Sequence, residues 1–173
     1  MKSIKLTFTL LASVILLTSC GDKYKVDVDI TPERLAELKQ DIKDYKQAID
    51  DYVPTDKEIA LEPIIGLGRA YEEMGEYGKA IDLYLDILDA HGESKALIHN
   101  LGRDYEEVGE YDLAIEQYQK IIDDYFDSHY LYDITWAYIR AGNKQGAESF
   151  FNDWQLKFRK TDDQTQEAIK KLQ

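Results

Sequence analysis

The sequence predicts an all-α protein built from a helical hairpin that is repeated along the chain. Shifting the chain by 34 residues aligns Ile64–Asp89 with Ile98–Asp123, and 15 of these 26 positions are identical. Within each copy, apolar residues recur at steps of three and four, the spacing of one face of an α-helix. Each copy also carries a mid-copy glycine, Gly75 or Gly109, which can end a helix in a left-handed conformation. One such hairpin cannot bury its own apolar face, so neighbouring copies have to stack and share a core.

The composition excludes several other classes of protein. The 173 residues include 34 acidic and 21 basic side chains, a net charge of −13, and 44% of the residues are hydrophobic. This hydrophobic content is too high for a disordered acidic tail. The net charge would repel the phosphates of nucleic acid. The single cysteine excludes a disulfide framework and a cysteine-based zinc site.

The repeated copies share a skeleton of apolar, aromatic and small residues. In the first copy the skeleton is Ile64, Leu67, Gly68, Tyr71, Gly75, Tyr77, Ala80, Tyr84 and Ile87. In the second copy it is Ile98, Leu101, Gly102, Tyr105, Gly109, Tyr111, Ala114, Tyr118 and Ile121. A third, more divergent copy follows at a spacing of 33 and consists of Leu131, Ile134, Thr135, Tyr138, Gly142, Ala147, Phe151 and Trp154. Thr135 stands where the other two copies have glycine.

This period and skeleton resemble the tetratricopeptide repeat over roughly Leu61–Lys160. The chain departs from the family pattern in having isoleucine or leucine at the usual tryptophan position. It also lacks the terminal proline, near whose place stand Gly92 and Phe126. The resemblance implies a solenoid within residues 55–160, made of about three repeats. Their approximate ranges are 61–94, 95–127 and 128–160.

Residues 1–19 resemble a bacterial lipoprotein signal peptide. Lys2 and Lys5 precede the apolar run Leu6–Leu17, which as a helix of about 18 Å is too short for a hydrocarbon core of about 30 Å. The sequence Leu-Thr-Ser-Cys that ends at Cys20 resembles the lipobox of this class. The resemblance implies cleavage after Ser19, a diacylglyceryl group on the Cys20 thiol, and an amino terminus acylated by a fatty acid such as palmitate. The alternative is an ordinary secretory signal that happens to end near a cysteine.

The segments that flank the repeats are predicted to tether and cap them. Residues 20–30 are polar and predict a tether, and residues 161–173 predict a C-terminal capping helix. Residues 31–54 predict an N-terminal helix with Thr31 as its N-cap and Pro32 at its first position. Its apolar stripe consists of Leu35, Leu38, Ile42, Tyr45, Ile49 and Tyr52. This stripe either docks on the first repeat or forms a homodimer with a second copy.

Family resemblance also implies a partner-binding groove lined by the first helix of each repeat. The candidate groove residues are Arg69, His99, Arg103, Tyr132, Trp136 and Arg140. Arginine can pair with carboxylates through two hydrogen bonds, and large aromatic side chains serve as anchors in interfaces. The alternative is a solvated surface on which Arg69 pairs only with Glu72 or Glu73 of its own helix. A carboxylate clamp for chaperone tails is not predicted, because only Asn100 matches its residue set.

Enzymatic activity is not predicted. The serines of the mature chain lie in no G-x-S-x-G motif, and neither an H-E-x-x-H motif nor a phosphate-binding loop occurs. No cofactor is predicted. The sequence therefore predicts an adaptor of the bacterial cell envelope, anchored by lipid at Cys20, with the outer membrane favoured over the inner. It would bind a protein or peptide in the groove.

The alternative function is a periplasmic protein that binds a small molecule or a metal ion in the same groove. Its candidate ligands are His99, His129, Tyr132 and Trp136. The two histidines would face each other across adjacent repeats.

Overall fold

The computed structural model describes residues 23–52, 60–122 and 128–158, without the side chains of residues 128, 129 and 155–158. Within these ranges the chain forms seven α-helices and no strand, so the predicted all-α fold is confirmed. None of the described helices is both long enough and apolar enough to span a bilayer. The predicted signal peptide with Cys20 and the predicted capping helix 161–173 lie outside the described residues.

The helices form one leading helix and three hairpins. The leading helix is α1 (Pro32–Asp50), and the hairpins are α2 (Leu61–Glu73) with α3 (Tyr77–His91), α4 (Lys95–Glu107) with α5 (Tyr111–Ile122), and α6 (Ser128–Arg140) with α7 (Lys144–Phe158). Each helix packs against the next one along the chain. This sequential packing makes a helical-hairpin solenoid, with one continuous apolar core between the hairpins.

The turn inside each hairpin is a helix cap that requires glycine. Gly75, Gly109 and Gly142 adopt φ values of 70°, 79° and 70°. In the first turn the N–H of Gly75 donates to the carbonyl of Glu72 at 2.9 Å, and the N–H of Glu76 donates to the carbonyl of Tyr71 at 2.8 Å. This is the bond pattern of a Schellman motif. The same pair of bonds recurs at the other two turns, which gives the three hairpins the same geometry.

A second pair of glycines allows the two helices of a hairpin to cross closely. A Cβ atom built on Gly68 would lie 1.9 Å from the hydroxyl oxygen of Tyr84, and one on Gly102 would lie 2.4 Å from the ring of Tyr118. In the third repeat the corresponding Thr135 is fully buried, and its hydroxyl donates to the Leu131 carbonyl at 2.8 Å. Its partner position holds Phe151 instead of tyrosine, so the third repeat omits the hydroxyl that meets glycine in the first repeat.

The α1 helix docks on the first repeat through its apolar stripe. The Oγ1 of Thr31 accepts the N–H of Arg34 at 3.2 Å, which confirms the predicted N-cap. Leu38 is 1% exposed, while Ile42, Tyr45 and Ile49 pack against the core. The contacts of α1 are with α2, so the stripe from Leu38 to Ile49 is packed within a single chain, whereas Tyr52, which follows the helix, is 38% exposed.

Residues 23–28, which we call the strap, lie against the turns of the first two repeats. The N–H of Val26 donates to the carbonyl of Gly75 at 2.8 Å, and the N–H of Gly78 donates to the carbonyl of Tyr24 at 3.0 Å. The Tyr24 side chain is only 8% exposed. The sequence predicts a polar tether over residues 20–30, but residues 23–28 of this stretch are docked on the turns. The physical reason is that burial of the Tyr24 ring and pairing of the backbone favour contact with the turns over free solvation.

We expect Leu38→Ala to lower the free energy of unfolding by about 2–4 kcal/mol, because it empties a site buried between α1 and α2. Urea titration followed by circular dichroism measures this change, with the exposed neighbour Lys39→Ala as the matched control. Sedimentation is expected to give the same mass for both variants and the unaltered protein. A dimer that dissociates on Leu38→Ala would instead assign the stripe to an interface between two copies.

We expect Gly68→Ala to lower the free energy of unfolding by about 1–3 kcal/mol, because its new methyl group overlaps Tyr84. The cost should be smaller in a Tyr84→Phe background, which removes the nearest atom and imitates the third repeat. The Tyr84→Phe variant alone is the control for this thermodynamic cycle. An equal cost in both backgrounds would show that the tyrosine hydroxyl does not set the requirement for glycine.

Candidate partner-binding groove

The predicted groove residues all lie on the first helices of the repeats. Arg69 is on α2, His99 and Arg103 are on α4, and the remaining predicted residues are on α6. The three arginines are exposed, whereas His99 and the two aromatic residues of α6 are half-buried. This placement follows from the helical period, because the apolar stripe of each first helix is buried and leaves the other face open.

A polar cavity of about 390 Å³ lies between α4 and α6. It is lined by His99, Arg103, Glu106, Glu107, Asp133 and Arg140. It therefore brings together three of the six predicted residues. Arg69, Tyr132 and Trp136 do not line this cavity.

His99 connects the second and third repeats. Its Nε2 lies 2.9 Å from the Oδ2 of Asp133, and because a carboxylate can only accept, Nε2 donates in this contact. The imidazole also contacts the rings of Tyr118 and Tyr130, with centroid distances of 5.8 and 5.2 Å. His99 is thus held in place before any partner binds. Asp133 was not among the predicted site residues, although its spacing of 34 residues from His99 indicates a neighbouring position in the next repeat.

Arg140 pairs with a carboxylate of the preceding repeat. Its Nη1 lies 3.3 Å from Glu106, which also accepts the hydroxyl of Tyr118 at 2.8 Å. Burial raises the pKa of Glu106, and the bond from Tyr118 and the charge of Arg140 partly oppose this rise. Much of the Arg140 charge is therefore neutralised within the chain.

Arg69 and Arg103 occupy equivalent positions on adjacent first helices and remain open to solvent. Among the described residues, neither forms a direct ion pair. Arg69 does not bind Glu73 of its own helix, because Glu73 is held by two bonds from Arg34 at 2.6 and 2.8 Å. The charge of Arg69 does act on Glu72, whose pKa it helps to lower against the effect of burial. Glu72 instead accepts the hydroxyl of Tyr84 at 3.4 Å.

A pair of carboxyl groups lies beneath these two arginines. Asp104 is 2% exposed, and the equivalent positions of the other repeats hold the buried residues Ala70 and Ala137. Burial raises the pKa of Asp104 to about 9, and the neighbouring charge of Glu72 adds to the rise. Burial also raises the pKa of Glu72, which the charge of Arg103 opposes. At neutral pH Asp104 is therefore protonated, so the acids under Arg69 and Arg103 carry less negative charge than their number implies.

The two aromatic residues of α6 contact each other. The rings of Tyr132 and Trp136 meet edge to face, with their centroids 6.0 Å apart and their planes at 70°. They are four residues apart on one helix, which places their side chains together. Their role as anchors for a partner stays a prediction.

No group of three or more histidine, cysteine, aspartate or glutamate side chains in the described ranges could hold a metal ion. The side chain of His129, the second predicted ligand, lies outside the described residues.

The family comparison identifies the first hairpin. Residues 64–95 match the family model of the tetratricopeptide repeat. They include α2 from Ile64 onward, all of α3 and the first residue of α4. This segment is therefore similar to a single tetratricopeptide repeat. The described helices as a set form a tetratricopeptide-like helical-hairpin solenoid, an architecture that generally binds protein partners and typically serves as a scaffold without catalytic activity. No curated protein sequence matches the chain.

We expect Asp104→Ala to stabilise the protein at pH 8 by about 1–3 kcal/mol, because the buried Oδ2 of Asp104 has no hydrogen-bond partner among the described residues. The folded state keeps the proton of Asp104 up to about pH 9, whereas the unfolded chain releases it near pH 4. The free energy of unfolding of the unaltered protein therefore falls as pH rises through this window.

Urea titrations at pH 5 and pH 8 measure this effect. The Asp104→Ala variant should lose part of the pH dependence, whereas the exposed control Asp86→Ala on α3 should keep it. A variant that is less stable than the unaltered protein at both pH values would contradict the assignment of a protonated buried acid.

Proposed function

We propose that this protein is a lipid-anchored adaptor of the bacterial cell envelope that binds a protein or peptide partner in its tetratricopeptide groove. The observation that carries the proposal is the pair of exposed arginines, Arg69 and Arg103, at equivalent positions on adjacent repeats. Their regular spacing presents two guanidinium groups to the same partner, each able to form two hydrogen bonds with a carboxylate.

The charges around this pair favour an acidic partner segment. Arg140 is paired with Glu106, and Arg34 of α1 is paired with Glu73. Arg69 and Arg103 form no direct ion pair among the described residues, although the charges of both act on the carboxyl group of Glu72. Protonation of Asp104 reduces the negative charge beneath them. The net charge of −13 does not prevent this local attraction, because exposed charges more than about 8–10 Å apart are largely screened at physiological salt.

Lipid anchoring rests on the sequence around Cys20. This residue is the only cysteine of the chain and ends the sequence that resembles a lipobox. Each buried methylene of an acyl chain contributes about 0.8 kcal/mol, and two or more chains hold a protein durably on a bilayer. We place the adaptor on the outer membrane, with its solenoid on the periplasmic or surface side.

We expect the double substitution Arg69→Glu/Arg103→Glu to abolish crosslinking to the partner while leaving the helical circular-dichroism spectrum unchanged. A photoreactive amino acid at position 136, in place of Trp136, reports the partner in intact cells. The matched control is Lys39→Glu/Lys43→Glu, which makes the same charge change on exposed positions of α1. Crosslinking that persists in the Arg69→Glu/Arg103→Glu variant, or that is lost equally in the control, would contradict the assignment of the arginine pair to the binding site.

The anchor is tested separately by Cys20→Ala. We expect the unaltered chain to stay with membranes until detergent is added, and mass spectrometry of its first mature residue to show acyl groups. The Cys20→Ala chain should be released freely. Release of the unaltered chain without detergent would contradict the lipid anchor and leave the groove assignment standing.

A small ligand in the same groove is the second candidate. The cavity between α4 and α6, at about 390 Å³, falls within the size range of small-molecule sites, about 300–1,000 Å³. Calorimetry with a panel of anionic metabolites and divalent metals, on the unaltered chain and on His99→Ala, separates this function from peptide binding.

A further inference from the structure

We propose that the strap fixes which side of the solenoid faces the membrane. The side in question is the turn edge, which consists of the hairpin turns at residues 74–76, 108–110 and 141–143. This inference rests on the proposed lipid anchor at Cys20 and adds to it an orientation. The bilayer would lie against the turn edge, and the loops that connect successive repeats would point away from it.

The strap is held at several points on two adjacent turns. Its backbone exchanges hydrogen bonds with Gly75 and Gly78 at 2.8 and 3.0 Å. The Tyr24 hydroxyl donates to the carboxylate of Glu110 at 2.8 Å, and the ammonium group of Lys23 lies 3.1 Å from the same carboxylate. These contacts tie the start of the described chain to the second turn and the strap backbone to the first.

The remaining length of chain limits how far the lipid can lie from this edge. Only two residues separate Cys20 from Lys23, and three Cα–Cα steps span at most about 11 Å. A free tether over residues 20–30 would span up to about 36 Å. A 13-residue helix such as α4 is about 20 Å long, so the opposite edge lies roughly that much farther from the anchor. The docked strap therefore brings the acyl chains to the turn edge and to no other side.

The orientation determines how a partner reaches the groove. The first helix of each repeat ends at the turn edge, so these helices would run toward the membrane. Arg140 and Glu107 would then lie nearest the bilayer, with Arg103 about 6 Å and His99 about 12 Å higher along α4. The open face of the groove would then point along the membrane surface. A partner held at the same membrane would reach it from the side.

The test compares two spin labels on the acylated protein in vesicles of phosphatidylethanolamine and phosphatidylglycerol. One label is attached at Asp112→Cys beside the second turn, and the other at Glu93→Cys on the opposite edge. Both positions are exposed, and both substitutions remove one negative charge. Acylation blocks the thiol of Cys20, so each variant carries one reactive cysteine. We expect lipids with nickel-chelating headgroups to relax the label at position 112 strongly and the label at position 93 hardly at all.

The strap itself is tested by Val26→Pro, which removes the N–H that donates to Gly75. Val26→Ala keeps this donor and is the matched control. We expect the difference between the two labels to be lost in Val26→Pro and kept in Val26→Ala. Equal relaxation of the two labels in an otherwise unaltered, acylated chain would overturn the orientation alone. A chain in which mass spectrometry finds no acyl group on Cys20 would overturn the proposed anchor, and the orientation with it.

Discussion

The close crossing of the two helices in a hairpin is the constraint on which this solenoid depends. The two helices can cross closely because Gly68 and Gly102 leave room for Tyr84 and Tyr118, whose rings are fully buried. These tyrosines do more than fill the core. Their hydroxyl groups pass across the first helix and donate to glutamates on its groove side. The same contact therefore sets the distance between two helices and positions two carboxylates of the groove.

This contact explains why the third repeat differs in chemistry as well as in packing. Phe151 replaces the tyrosine and Ile139 stands in place of the glutamate, so the third repeat has no such bond. Its contribution to the polar cavity consists of Asp133 and Arg140, which pair with His99 and Glu106 of α4. The cavity between α4 and α6 is thus bordered by these ion pairs, whereas the side chains of Arg103, which lines the same cavity, and of Arg69 are exposed.

On the N-terminal side of the molecule, α1 and the strap have separate roles. The α1 helix covers the apolar face that the first repeat would otherwise expose, and the Arg34 side chain binds the last residue of α2, Glu73. The strap that precedes α1 holds two turns together through Tyr24. A protein anchored at Cys20 would therefore present its groove in a defined direction, since the chain next to the anchor is part of the folded domain.

Several features of the fold could be predicted from the sequence because they are local. The 34-residue period, the apolar stripes of the first helices and the cap at Thr31 depend on neighbouring residues of one helix. The positive φ values at Gly75 and Gly109 likewise follow from the residue type. The lipobox resemblance at Cys20 is equally local, and it is the reason that anchoring could be proposed at all.

Other features of the site depend on how separate helices meet. The sequence alone permits Arg69 to pair with Glu72 or Glu73, and only the placement of α1 shows that Arg34 takes Glu73 instead. Burial of Asp104 could not be read from a helix on which charged residues are common, since it results from packing between repeats. The polar composition of the strap predicts a solvated tether. In the folded chain, however, burial of Tyr24 and the backbone hydrogen bonds of the strap hold it against the turns. The helices and their repetition could thus be predicted from local residue patterns. Which charges are paired and which stay exposed follows from the packing of separate helices, because pairing depends on distances between residues far apart in the chain.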